Sequence, residues 1–264
     1  MNKAARLDAG LSSGYFPDMS NRVHQVVFSD QGVVSLQDYA KKAARSVQQV
    51  FADYDYRCWY LQDATDFIRA NFPDRVLAAF ETLVPFAYKA DLFKYCLLKV
   101  LGGWYVDIGV TMLKDPLAPR HSNSDTQFVF FRATGPWDPL WACSVALIYA
   151  QPGHAVFDTA IASVVAHCEQ RFYGANPLMP AMVPLGSAIA EHQIHENAKI
   201  GNVVDVRKRK YRRGYQLKPG ELVARRKPPR AKAGDVASIG ISGANNHVEL
   251  WHQRQVYGEG AVCV

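Results

Sequence analysis

Hydrophobic and polar positions follow two periods along this chain, and the switches between them mark its elements. Arg22–Ser29, with Val23, Val26, Val27 and Phe28, predicts a first strand. Ser35 is placed to cap a helix running to about Phe51. Tyr54–Leu61 reads as a second strand. Asp63 is placed to cap a helix through Asn71, which Pro73 ends. Helical spacing returns over Arg75–Leu83 and Pro85–Leu101. Strands are predicted over Trp104–Val110, Gln127–Phe131 and Trp141–Tyr149. A Pro152-Gly153 turn leads into an amphipathic helix over Ala155–Phe172. Pro180–Glu196 predicts another helix, broken or delayed by Pro184 and Gly186. Val203–Val206 and Val236–Ile241 read as short strands, and no internal repeat is present. Strands alternating with helices predict an α/β sandwich whose central sheet is mainly parallel and flanked by helices. A ligand then sits at the carboxyl ends of the strands.

One stretch departs from a plain core pattern. On a helical wheel, Ala90, Phe93, Cys96, Leu97, Val100 and Leu101 form a broad apolar arc. Asp91, Lys94 and Tyr95 lie opposite, at spacings that let their side chains meet. Gly102-Gly103 then stops the helix, because glycine tolerates a left-handed C-cap. Asp107 interrupts the apolar strand that follows, and a buried carboxylate needs a cation, a donor or a ligand. Two readings stand level on spacing alone. In one, Asp91 and Lys94 are an exposed helix pair and Asp107 caps a turn. In the other, these groups surround a small polar ligand.

Tyr88-Lys89-Ala90-Asp91-Leu92-Phe93-Lys94-Tyr95 and Gly102-Gly103-Trp104-Tyr105-Val106-Asp107-Ile108-Gly109-Val110 together resemble the DXD-motif region of the GT-A glycosyltransferases. The group is that of the yeast-type α-1,6-mannosyltransferases, the α-1,4-galactosyltransferases and the large glucosylating toxins. Its pattern is A-x-x-A/S-D-hydrophobic-x-R-Y/I, a short spacer, then G-G-I/W-Y-hydrophobic-D-x-D-V. Weaker similarity covers Val23-His24-Gln25, Asp53–Trp59 and Asn245–Trp251. The resemblance implies a GT-A-like sandwich in one domain over residues 1–264. It implies transfer of a hexose from a nucleoside diphosphate sugar to a hydroxyl of a glycan or lipid-linked saccharide, with retention.

Carried over by position, Asp91, Lys94 and Asp107 take the catalytic roles. Asp91 meets hydroxyls of the donor sugar. Lys94 stands for the usual arginine and lacks its bidentate fork. Asp107 is the first acid of the motif and faces ribose, sugar or a metal-bound water. His24, Gln25, Tyr105 and Trp251 join Asp91, Lys94 and Asp107 in the donor pocket. The second acid, the usual direct ligand of Mn²⁺ or Mg²⁺, is Gly109 here. Its loss removes a hard oxygen ligand, so weak or absent metal dependence is expected. Any metal held is expected on Asp107 with Asn246 and His247, beside Asn245. The alternative to catalysis is a degenerate relative that binds a sugar nucleotide or glycan without turnover.

Length and composition fit one globular domain: 264 residues, 49% hydrophobic and 20% charged. No apolar run approaches the roughly 18 residues that span a bilayer. The first residues lack the apolar segment of a secretory signal. The five cysteines form no C-x-x-C pair and read as reduced. A cytoplasmic protein is expected on those grounds.

The net charge of +6 is local. Arg207–Lys232 holds twelve of the 30 basic residues and one of the 24 acids, leaving 18 against 23 elsewhere. This segment predicts an extended basic arm or hairpin outside the catalytic core. Three readings compete for it: a solvated loop, a dock for an anionic membrane at the inner face, or a hold on the pyrophosphate or an anionic acceptor. Nucleic-acid binding is the runner-up class, without a helix-turn-helix, zinc-finger, ribonucleoprotein or KH signature to support it. The Gly135–Pro139 loop is placed to shape an acceptor mouth.

Overall fold

A computed structural model describes residues 21–30, 36, 38–118, 125–133, 142–194, 197–208, 211–226 and 245–258. Val236–Ile241, the Gly135–Pro139 loop and the distal basic residues 227–232 lie outside them.

The elements run β1 (Arg22–Val26), α1 (Asp38–Val50), β2 (Asp55–Trp59), α2 (Leu61–Asn71), α3 (Asp74–Thr82), α4 (Phe86–Leu101), β3 (Gly103–Val106) and β4 (Val110–Met112). The second half continues with β5 (Phe128–Arg132), β6 (Cys143–Ala150), α5 (Val156–Glu169), α6 (Val183–Glu191), β7 (Ala198–Lys208), β8 (Tyr211–Lys218), β9 (Glu221–Arg226) and α7 (His247–His252). Asp63 does not cap α2. Tyr60 holds that position, and the Asp63 carboxylate accepts the Tyr60 N–H from inside the first turn, at 2.9 Å.

Among the described residues the strands form one nine-stranded sheet in the order β2-β1-β3-β6-β5-β7-β8-β9-β4. The α/β class holds, but the mainly parallel sheet does not. Only β1–β2, β1–β3 and β5–β7 pair parallel, while β3–β6, β5–β6, β7–β8, β8–β9 and β4–β9 are antiparallel. β6 enters beside β3 from the opposite direction. Beyond β7 the chain turns back by a hairpin, which requires antiparallel pairing.

The alternation of β3 divides the core. Tyr105 packs with α2–α6, while Trp104 and Val106 pack with α1, β4, β8 and β9 on the other face. Helix α4 is buried all round, from Asp91 through Leu98. The Asp91–Lys94 pair is therefore not a solvated helix face. Gly102 closes α4 with positive φ, its N–H reaching Leu98 O at 3.1 Å. At Gly103 the φ is +89°, and a Cβ would lie 2.5 Å from the Arg22 carbonyl oxygen. The diglycine thus lets β3 enter tight against β1.

The predicted strand Trp104–Val110 breaks at Asp107. Three residues separate β3 from β4, a path of at most about 14 Å. In ladder order the same strands are six steps apart, roughly 29 Å if the sheet were flat. The sheet therefore curls until β9 and β4 return beside the end of β3. Tyr39 of α1 holds this return, its hydroxyl donating to Gly109 O at 3.0 Å.

The curl keeps the hairpin expected of the basic segment but places it within the sheet. Its β8–β9 hairpin turns at Pro219-Gly220, and Tyr215 and Val223 are buried core. Tyr211–Arg226 belongs to the sheet rather than to an arm outside it. Among the described residues, no helix is long and apolar enough to cross a membrane.

Candidate active site

Asp91 and Lys94 face each other one turn apart on α4, with Lys94 Nζ 2.8 Å from Asp91 Oδ1. Asp107 follows the end of β3, anchored by its N–H to Ala146 O at 2.8 Å. Lys94 Nζ also lies 3.6 Å from Asp107 Oδ1 and donates to Val145 O at 3.1 Å. Its side chain is 2% exposed and those contacts occupy it. Lys94 therefore bridges the two acids from beneath and does not reach outward. Tyr105 donates its hydroxyl to Asp107 Oδ1 at 2.7 Å and lies under the Lys94 ammonium, 4.4 Å from ring centre to Nζ.

Arg226, at the end of β9, completes the group. Its guanidinium is 3.2 Å from Asp107 Oδ2. Exposure differs sharply across the cluster. The Asp91 side chain is 6% exposed, Asp107 21% and Arg226 32%. A ligand from solvent meets Asp107 and Arg226 first.

The environment pushes the two carboxyls apart. Burial raises the Asp91 pKa, Lys94 offsets this only in part, and the charge on Asp107 raises it further. Burial also pulls Asp107 upward, but Lys94, Arg226 and the Tyr105 hydroxyl outweigh it and hold Asp107 below its ordinary value. For Arg226, burial opposes the charge, and Asp107 and Tyr215 more than restore it. At neutral pH, Asp107 and Arg226 thus stand as a carboxylate–guanidinium pair at the open side.

Several residues expected to line the donor pocket are occupied within the protein. Trp59 Nε1 donates to His24 Nδ1 at 3.3 Å, so His24 Nε2 carries the proton and donates to Gly102 O at 3.0 Å. His24 is buried and fastens β1 to the diglycine, and burial lowers its pKa to about 4. Gln25 is buried between Val106 O, 3.3 Å from its Nε2, and the Tyr56 hydroxyl, 3.0 Å from its Oε1. Trp251 donates Nε1 to Tyr173 O at 2.8 Å and packs on the core.

The expected metal ligands meet the same fate. Asn246 Oδ1 caps α7, accepting from Val248 N at 3.0 Å and Glu249 N at 3.4 Å. Asn245 holds the start of α4, accepting from Phe86 N and donating to Val84 O, each at 2.9 Å. Only His247 keeps a buried nitrogen, Nδ1, without a hydrogen-bond partner. Its ring lies 5.6 Å from that of Tyr88. Burial and the nearby Arg226 lower its pKa to about 4. A divalent cation of the kind the DXD motif implies does not fit this donor set. Asp107 already faces two cations and a phenol, Asn246 is spent on a helix cap, and Gly109 offers no carboxylate. Among the described residues, no group of three or more His, Cys, Asp or Glu is arranged to hold a metal.

Arg226 was hidden in the sequence among twelve bases, and its only signal was the return of an apolar alternation around Pro219-Gly220. Tyr105 was nominated for the pocket and instead orients Asp107.

An acid pair of unequal exposure is thus locked by a buried cation, with a partly exposed carboxylate–guanidinium pair where a strand of an α/β sheet ends and where ligands of such sheets bind. Residues 19–128 match the family described as glycosyltransferase sugar-binding region containing DXD motif. The match covers 110 of the 264 residues, from 19 to 128, and supports a glycosyltransferase. Among solved structures, the PaToxG glycosyltransferase is similar over 66% of this chain and 69% of its own, with 15% sequence identity and a TM-score of 0.48. No curated protein matches the chain.

Proposed function

We propose that this glycosyltransferase moves a hexose from a nucleoside diphosphate sugar to a hydroxyl of a glycan or lipid-linked saccharide, with retention, on a GT-A-like frame. The observation that carries the reading is the Asp91–Lys94–Asp107 cluster at the end of β3, inside the segment that matches the family. Asp107, ionised and partly exposed, accepts hydrogen bonds from donor hydroxyls. Lys94, itself paired with Asp91, holds it from below, and Tyr105 fixes its rotamer.

No carboxylate of the described site is assigned as a nucleophile. In a front-face substitution the bond from the anomeric carbon to the diphosphate oxygen breaks, and its electrons leave with the diphosphate. The acceptor oxygen bonds to the same face, and its proton passes to a departing phosphate oxygen. What the protein supplies is position and complementary charge.

The test is a transfer assay over a panel of UDP- and GDP-hexoses, following release of the nucleoside diphosphate and formation of glycoside. With the preferred donor, Asp107→Asn is expected to lower kcat/KM by about 100-fold or more. Near-wild-type turnover by that variant would remove Asp107 from the site.

A further inference from the structure

A DXD motif sets two acids one residue apart. This chain keeps Asp107 and has Gly109 in the second place. The next residue, Val110, is paired across the β4–β9 ladder with Arg226. Arg226 thus arrives beside the position that lacks its acid, and its guanidinium lies on the acid that remains. Compared with a DXD pair that has no base beside it, the site carries one negative charge fewer and one positive charge more. The change of two units equals the charge of a divalent cation. Asp91 and Asp107 now balance Lys94 and Arg226 with no metal in the count. A metal ion placed on Asp107 would meet a guanidinium at contact distance, a repulsion that the partly buried site screens poorly.

Arg226 also has the chemistry and the reach for a diphosphate. A guanidinium stays charged at any working pH and presents paired N–H donors that match phosphate oxygens. It is the more exposed of the two cations, whereas Lys94 is enclosed by its acids. Held by one carboxylate oxygen and the Tyr215 hydroxyl, a guanidinium with five N–H donors keeps others for a second anion. The unpartnered Nδ1 of His247 is a further buried polar atom with capacity for a ligand.

We propose that Arg226 is the resident cation of this site, binding the donor's diphosphate and stabilising its departure where a DXD pair would use a divalent metal. This deepens the glycosyltransferase reading above and rests on it. As the bond between the anomeric carbon and the phosphate oxygen breaks, the added negative charge on the diphosphate is met by the Arg226 N–H groups. The guanidinium keeps its proton throughout.

The test is calorimetric titration of the full chain with UDP, GDP, CDP and ADP, in EDTA and again in Mn²⁺. The wild type is expected to bind its preferred nucleotide with affinities that agree within about twofold in the two buffers. Arg226→Ala is expected to bind at least tenfold more weakly in EDTA, and Arg226→Lys to fall between them. In the Arg226→Ala/Gly109→Asp double variant, binding is expected to return only with Mn²⁺. Thermal melts establish that each variant is folded, and the wild-type comparison needs no variant at all. Binding by the wild type that appears only with Mn²⁺ would overturn the role of Arg226 and leave the transferase reading standing. So would a folded Arg226→Ala that binds as tightly as wild type. Failure of all four nucleotides in both buffers would overturn both readings.

Discussion

Replacing Lys94 with methionine strips the cation from between two carboxylates while nearly preserving side-chain volume. The ammonium is 2.8 Å from Asp91 and 3.6 Å from Asp107, with 2% of the side chain exposed. At an effective dielectric of about 20, each contact is worth roughly 5 kcal/mol of Coulomb attraction, before the desolvation that opposes it. Removing one partner of such a buried pair typically costs about 3–5 kcal/mol, because the other charge is left unmatched. Arg226 still holds Asp107, so the loss falls chiefly on Asp91. For a chain of this size the melting temperature should drop by about 6–20 °C at pH 7.5. The deficit should shrink on acidification. Asp91 already has a raised pKa when folded, and without Lys94 it rises further. The folded state then binds a proton that the unfolded state, with its ordinary value of 3.8, has released. Stability from this group is therefore gained as pH falls toward the unfolded value. Urea titrations of wild type and Lys94→Met at pH 7.5 and 5.5 measure the difference, and groups common to both proteins cancel. Asp91→Asn combined with Lys94→Met removes both charges and should recover most of the loss. A deficit below about 1 kcal/mol at pH 7.5, or one that does not narrow at pH 5.5, would refute the buried bridge.

Two further outcomes follow from the same geometry. Gly103→Ala puts a Cβ 2.5 Å from the Arg22 carbonyl at a φ of +89°, whereas Gly153→Ala, at +80°, meets nothing within 4 Å. Denaturant midpoints should show the first costing more than about 2 kcal/mol and the second only about 1 kcal/mol; equal costs would mean that β3 does not enter against β1 as described. His24, lowered by burial to about 4 from an ordinary 6.5, is neutral when folded, so the unfolded state takes up its proton first. Its contribution is present above pH 6.5 and is lost as pH falls toward 4, by at most about 3 kcal/mol. An imidazole titration by NMR checks this, and a value for His24 near 6.5 would contradict its place between Trp59 and Gly102.

What was legible in the sequence follows the range of each interaction. The α4 helix, its diglycine end and the first residues of β3 are set by neighbours a few positions apart, and their pattern carried them correctly. Asp91 and Lys94 meet because they are three residues apart on one helix, so their pairing was readable without a structure. Their burial was not, since α4 lies beneath both α2–α3 and α5 and has no free face. The parallel sheet failed for a related reason. Strand direction is decided by long connections, and β6 and the β7–β9 hairpin return antiparallel at distances that local periodicity does not sense. Polar residues showed a further blind spot. His24, Gln25, Asn245 and Asn246 looked like ligand groups because polar side chains in apolar surroundings need partners. Each found its partner in the backbone or a neighbouring ring instead.

The most consequential miss was Arg226, and it follows from the curl of the sheet. Counted by composition, the basic run had an excess of charge and no address. Once β8 and β9 fold into the ladder, the charges separate by position, because alternate residues of a strand face opposite sides. Arg225 and Arg226 are consecutive, so only one of them can turn toward Asp107. The pairing of Arg226 with Val110 brings that residue to the gap left by Gly109. The missing acid and the basic strand look like unrelated peculiarities in the sequence. Across the β4–β9 ladder they are one: an acid at position 109 would add a third carboxylate beside the cluster, and a neutral residue at 226 would leave Asp107 with the Tyr105 hydroxyl and, as its cation, Lys94 at 3.6 Å. Either change alone would unbalance a partly buried site, whereas Gly109 and Arg226 together leave two acids facing two cations.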